Sequence, residues 1–208
     1  MIKNIVFDLG GVLVGLNRGA CEEAFRRIGF NDFGKILNEY VQGGFFLEYE
    51  KGEISTEEFM NIVRSYIDPQ IRESVTNTQI VGAMGAFLED IPAYKLDYLI
   101  ELKKRYRLFM LSNTNPIAIE IVRPLFLTKG IPVESYFDIL FLSYQMKMAK
   151  PDDEIFEKVI ESAEICASET LFVDDSPLNI ETAKRLGYKT LLFNPSDNLK
   201  DEVNKMLC

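Results

Sequence analysis

Near its amino terminus the chain reads Lys3-Asn4-Ile5-Val6-Phe7-Asp8-Leu9-Gly10-Gly11-Val12-Leu13-Val14. Ile5-Val6-Phe7 is apolar on both faces, the pattern of a short parallel strand covered from both sides. The run stops at one carboxylate and a Gly-Gly turn. Open α/β sheets bind ligands at the carboxyl ends of their strands, so Asp8 stands where chemistry is done. The two glycines let a ligand come close to the backbone. Taken alone, the stretch favours Asp8 as a mere turn starter. Three later stretches decide between these readings.

Working outward, helical patterns follow without strand signals. Asn17 can cap a helix to about Ile28, and further patterns cover Asp32 to Val41 and Phe45 to Lys51. Ser55-Thr56-Glu57-Glu58 is a capping box with Ile54 and Phe59 placed as a staple. Gln79 to Leu88 is helical again. Residues 15–91 therefore read as an all-helical insertion after the first strand.

From Pro92, placed for a first helical turn, strands and helices alternate. Strands are expected at Arg107 to Leu111, Phe137 to Leu142, Leu171 to Val173 and Lys189 to Phe193. Helices are expected at Tyr94 to Lys104, after the cap-and-proline pairs Asn115-Pro116 and Ser176-Pro177, at Asp152 to Ala163 and at Leu199 to Met206. Alternation of this kind argues an α/β fold with a doubly wound parallel sheet. Residues 1–14 and 92–208 would form that core.

The 208 residues, 47% hydrophobic, suffice for one core plus a smaller domain. A net charge of -9 argues against nucleic acid or an anionic membrane as partner. No apolar run is long enough to span a bilayer, and Asp8 interrupts the stretch a signal peptide would need. A cytoplasmic location is the expectation. Cys21, Cys166 and Cys208 have no metal-ligand spacing; the first two read as core or helix residues. There is no histidine, which removes histidine triads, bases and zinc sites. Catalysis is left to carboxylates, hydroxyls, lysine or a hard metal.

Four polar stretches sit at or just beyond strand ends: Asp8, Ser112-Asn113, Lys150 before Pro151, and Asp174-Asp175. Parallel strands share a carboxyl end, so all four belong to one rim. Three crowded carboxylates require a raised pKa or a cation. Oxygen donors without histidine or cysteine suit Mg²⁺. Mg²⁺ and Lys150 would leave a positive focus for a phosphoryl group, and a carboxylate can attack phosphorus to form an aspartyl-phosphate.

Phe7-Asp8-Leu9-Gly10-Gly11-Val12-Leu13, Leu111-Ser112-Asn113, Lys150-Pro151 and Phe172-Val173-Asp174-Asp175-Ser176 with Asn179 resemble the four motifs of the haloacid dehalogenase superfamily. Gly52-Glu53-Ile54-Ser55 with Phe59 resembles a segment of that family's helical cap. The resemblance implies a Rossmann-like core with an inserted cap that closes over the substrate and chooses it. It also implies that Asp8 is the nucleophile, that Asp174 holds Mg²⁺ directly, and that Asp175 ligates the ion or its waters. Ser112, Asn113 and Lys150 would bind the phosphoryl group, with the Gly10 carbonyl as a further metal ligand. The substrate would be a small phosphorylated metabolite, a sugar phosphate among the candidates, since the Asp-Leu-Gly-Gly form resembles a branch containing sugar-1-phosphate phosphatases.

Phosphatases of the family usually carry a second Asp where this chain has Gly10. General acid–base catalysis is typically worth about 10²–10⁴-fold, so a good leaving group would suffer least. Two other readings stand beside the phosphatase: a 2-haloacid dehalogenase, for which paired acids at 174 and 175 would be unneeded, and a slow or inactive phospho-acceptor. Glu48, Tyr49, Glu50 and the Phe45-Phe46 pair are candidates for the site-facing side of the insertion, equally explained as exposed charges and core aromatics.

Overall fold

The computed structural model describes residues 1–36 and 44–207. Five strands, β1 (Asn4–Phe7), β2 (Arg107–Ser112), β3 (Ile139–Leu142), β4 (Thr170–Asp174) and β5 (Lys189–Leu192), form one sheet in the order β3-β2-β1-β4-β5. Every pairing is parallel. β1 is central and buried throughout, as its unbroken apolar run requires. Phe7 lies opposite Met110 on one side and Val173 on the other. The residues just beyond all three strands therefore emerge at one rim.

The side-chain alternation of the strands splits the core into two layers. Ile5, Phe7, Leu108, Met110, Leu171 and Val173 pack on one face with α6 (Ala93–Leu102), α7 (Pro116–Phe126) and α12 (Leu199–Leu207). Val6, Phe109, Leu111 and Phe172 pack on the other with α10 (Asp153–Ala163) and α11 (Pro177–Arg185). Two short helices, α8 (Val133–Tyr136) and α9 (Ser143–Met146), flank β3.

Between β1 and α6 the described residues contain five α-helices and no strand of the sheet: α1 (Arg18–Arg27), α2 (Phe33–Ile36), α3 (Phe45–Glu50), α4 (Thr56–Ser65) and α5 (Asn77–Gly85). They enclose an aromatic cluster. Phe25 stacks on Phe33 at 4.0 Å between ring centroids, and Tyr49 on Phe59 at 4.3 Å. Phe45 and Phe46 belong to the same cluster, so these rings are core. Where the chain enters and leaves these helices its two arms run side by side. Asn17 N donates to Phe87 O at 2.8 Å and Glu89 N to Gly15 O at 2.9 Å.

Three contacts seat α3 on the sheet-bearing part. Ser143 Oγ donates to Glu50 O at 2.7 Å, Lys51 pairs with Asp152 at 3.5 Å, and Lys147 Nζ donates to Gly52 O. Gly52 has φ +61°, and a Cβ there would lie 2.4 Å from Tyr144 O, so no larger residue fits this seam.

Most expected elements stand within a residue or two of their sequence signals. The capping boxes at Ser55 and, unanticipated, at Thr76 are both formed. Three details differ. Pro92 precedes α6 as its cap rather than entering its first turn. Ser176 makes no side-chain cap; its N–H donates to Asp174 Oδ1 instead. Cys166 is exposed, while Cys21 is buried as expected. Of the helix expected over Asp32 to Val41, Phe33–Ile36 is formed; residues 37–41 lie outside the described residues, as does Cys208.

Candidate active site

The rim gathers the four expected stretches. Asp8 comes directly after β1, and its N–H still donates to Val173 O at 2.9 Å. Asp174 is the last residue of β4 and Ser112 the last of β2. Lys150 arrives from the loop after α9. Its Nζ lies 2.9 Å from Asp8 Oδ1, 2.7 Å from Asp174 Oδ2 and 3.0 Å from Leu111 O. One oxygen each of Asp8, Asp174 and Asp175 lie within 4.8 Å of one another.

Supporting contacts fix these side chains. Asn113 Oδ1 accepts from Lys150 N at 2.9 Å and its Nδ2 donates to Lys150 O at 2.8 Å. The Asn113 side chain is thereby committed to holding the lysine backbone, across the cis Lys150–Pro151 segment. Asp174 is fully buried and its two oxygens take donors from Lys150, Ser176 N and Asn179 Nδ2. Asp8 Oδ1 accepts from Leu9 N at 2.7 Å as well as from Lys150. Asp175 is half-buried and meets no donor from another residue among the described ones. Ser112 is buried, with a long contact of 3.4 Å from Oγ to Asn113 O.

Burial foremost lifts the Asp8 carboxyl to about 7; the Lys150 charge pulls it down, and the Asp174 and Asp175 charges push it up. Burial and then Asp174 lift Asp175 to about 6. Burial pulls the Lys150 ammonium down, but the Asp174 and Asp8 charges and hydrogen bonds outweigh it and hold its pKa above the usual lysine value. Three carboxylates against one ammonium leave two uncompensated negative charges, the charge of one divalent cation. The donors are all hard oxygens, and Asp8 Oδ2 and both Asp175 oxygens keep lone pairs that no other described residue occupies. The set fits Mg²⁺.

The turn leaving β1 is packed against this cluster. Leu13 N and Val14 N both donate to Leu9 O, and Gly11 N to Val14 O, each at 2.9 Å. Gly11 has φ +72°, and a Cβ on it would lie 2.1 Å from Asp175 Oδ2. Beside it, a Cβ on Gly10 would meet the Leu16 methyls at 3.3 Å. An apolar side chain thus borders the position where an acid is absent.

A family model for haloacid dehalogenase-like hydrolases matches residues 2–187. The chain belongs to the haloacid dehalogenase-like hydrolases. Among its relatives, D-ribitol-5-phosphate phosphatase of Bacteroides thetaiotaomicron is 39% identical over 198 residues, covering 95% of this chain and 93% of the relative. A crystal structure of a family enzyme from the same organism, in its wild-type form with magnesium and inorganic phosphate, superposes with a TM-score of 0.89 at 41% identity, covering 95% of this chain and 97% of that one. A (S)-2-haloacid dehalogenase of a Pseudomonas species is 24% identical over 98% of this chain and 88% of the relative. The fold class and the family read from the motifs hold for this hydrolase, and no helix among its described residues is long and apolar enough to cross a membrane.

Two residues of the site region carry no motif signal. Ser143, fully buried, accepts from Thr114 N at 2.8 Å and donates toward Glu50 O. Lys95, on α6, donates to main-chain carbonyls of the β1 turn. A lysine on the stripe shared with Leu99 and Leu102 breaks that helix's apolar face, which is the signal that could have found it.

Proposed function

We propose that the chain is a Mg²⁺-dependent phosphoric monoester hydrolase acting on a small phosphorylated polyol or sugar, through an aspartyl-phosphate on Asp8. The observation that carries the reading is Lys150 bridging Asp8 and Asp174 beside Asp175: a charge-balanced cluster once a divalent cation joins it. The 39% identity to a D-ribitol-5-phosphate phosphatase supports the substrate class.

Asp8 and Asp175, whose oxygens are least encumbered, would hold the cation with the Gly10 carbonyl. Asp174, already taking donors from three residues, would act chiefly by fixing Lys150 and balancing charge. Bound Mg²⁺ would lower the carboxylate repulsion and draw charge from the phosphoryl oxygens. Ser112, the Asn113 main chain and Lys150 would hold those oxygens. A carboxylate oxygen of Asp8 forms a bond to phosphorus while the bond to the substrate oxygen breaks. The leaving oxygen takes its proton from water, because Gly10 supplies none. Water then attacks phosphorus, releases inorganic phosphate and regenerates Asp8. Residues 15–91 would serve as the cap, with α3 seated on the rim through Ser143.

A 2-haloacid dehalogenase needs no cation, so three clustered carboxylates would only repel one another in it. The test is phosphate release from a panel of sugar 1-phosphates and primary polyol phosphates, with Mg²⁺ and with chelator. Release that needs Mg²⁺ supports the reading. Chloride release from 2-chloropropionate, indifferent to chelator and unaccompanied by phosphatase activity, would replace it with the dehalogenase.

A further inference from the structure

Lys95 is a buried ammonium with no carboxylate partner among the described residues. Burial lowers its pKa from the usual lysine value. Its Nζ donates to Val12 O at 2.5 Å and lies 3.4 Å from Leu13 O. The Phe193 ring covers it, with 5.7 Å from Nζ to the centroid. Burying a charge among apolar groups is costly unless it is hydrogen-bonded. A lysine serving only to fill space would be better replaced by methionine or leucine.

The groups that Lys95 touches explain its presence. The carbonyls of Val12 and Leu13 are not used by the turn's own hydrogen bonds, which run to Leu9 O and Val14 O. Without Lys95 these acceptors would be buried without a charged donor. The same turn carries Asp8 at its start and Gly11 hard against Asp175. Lys95 therefore ties the turn that bears Asp8 and Gly11 to α6, the helix that comes after the inserted segment. We propose that Lys95 is a positioning residue that holds the Asp8–Val14 turn against Asp175 and so sets the spacing of the cation-binding carboxylates. This rests on the assignment of those carboxylates as the cation site.

The experiment titrates Mg²⁺ into the full chain without substrate, followed by isothermal titration calorimetry, with thermal unfolding run on the same samples. The variants are Lys95→Met, Lys95→Gln and, as a comparison on the same helix, Tyr98→Phe. Tyr98→Phe loses the bond from Tyr98 Oη to Asn204 Oδ1 at 2.8 Å, away from the turn. Lys95→Met should weaken Mg²⁺ binding about tenfold or more, the scale seen when groups that orient metal ligands are lost. Lys95→Gln, which keeps a donor, should fall between. Tyr98→Phe should lower the unfolding temperature and leave Mg²⁺ affinity unchanged. If Lys95→Met does not fold, Lys95→Gln carries the same comparison. Unchanged Mg²⁺ affinity in the folded Lys95 variants overturns the proposal, as does equal weakening in Tyr98→Phe. No Mg²⁺ binding by the wild-type chain would instead remove the cation assignment beneath it, and the proposal with it.

Discussion

Gly11 and Asp175 stand so close that a single methyl group on the glycine would sit 2.1 Å from the carboxylate Oδ2. The turn after β1 and the acid after β4 are thus fitted to each other by the absence of a side chain. Gly11→Ala should displace Asp175, weakening Mg²⁺ binding at least tenfold and removing most activity. Gly130 provides the comparison, because its φ is +71° with nothing within 4 Å of a would-be Cβ. Gly130→Ala costs about 1–2 kcal/mol for the left-handed backbone alone. It should lower stability and leave Mg²⁺ binding intact, as calorimetry and urea unfolding would show.

Lys150, itself buried, pairs with Asp8 and with the fully buried Asp174. Removing one partner of a buried ion pair typically costs about 3–5 kcal/mol. Lys150→Met should therefore abolish phosphatase activity and shift the urea midpoint strongly downward. Added Mg²⁺ should recover part of the lost stability and none of the activity.

Stability without a cation should fall as pH rises. Asp8 is lifted to about 7 in the folded chain against a usual 3.8, first by burial. The folded state then holds this proton more tightly than the unfolded state does. The contribution is fully present below about pH 4 and is lost progressively as pH climbs to about 7. Mg²⁺ binds the ionised carboxylates and should oppose this loss. At a hundred times its dissociation constant it should add about 2.7 kcal/mol. Thermal unfolding between pH 5 and pH 8, with Mg²⁺ and with chelator, measures both trends.

Gly10→Asp supplies the acid that is missing. Its Cβ must push the Leu16 methyls from 3.3 Å, so Gly10→Asp with Leu16→Ala is the better variant. Hydrolysis of primary alkyl phosphates should rise tenfold or more, within the about 10²–10⁴-fold typical of general acid–base catalysis. p-Nitrophenyl phosphate, whose leaving group needs no proton, should gain little. An equal gain on both would mean that proton transfer is not what Gly10 lacks.

The rim was legible in the sequence because each of its parts lies at or beyond a strand written in apolar residues. Ile5-Val6-Phe7 and Leu171-Phe172-Val173 read as strands, and parallel pairing brings Asp8 and Asp174 to one edge. The division of labour within the rim was not legible. Asn113 looks like a ligand-facing residue, but its amide is committed to the Lys150 backbone. Asp174 and Asp175 look alike in sequence; only burial and hydrogen bonding separate a satisfied acid from an open one. Ser143 and Lys95 act through main-chain carbonyls, which leave no residue-type pattern at a fixed spacing. The Phe45-Phe46 pair and Tyr49 resolve as core because their partners, Phe33 and Phe59, are remote in the chain.

The covalent role of Asp8 is open to direct trapping. The chain is mixed with a turned-over phosphate ester and Mg²⁺, treated with borohydride, digested and read by mass spectrometry. Reduction of the Asp8 carboxyl to an alcohol is expected, seen only when substrate and Mg²⁺ are both present. Phosphate release that proceeds at full rate while the Asp8 peptide stays unmodified and another acid carries the reduction would contradict it.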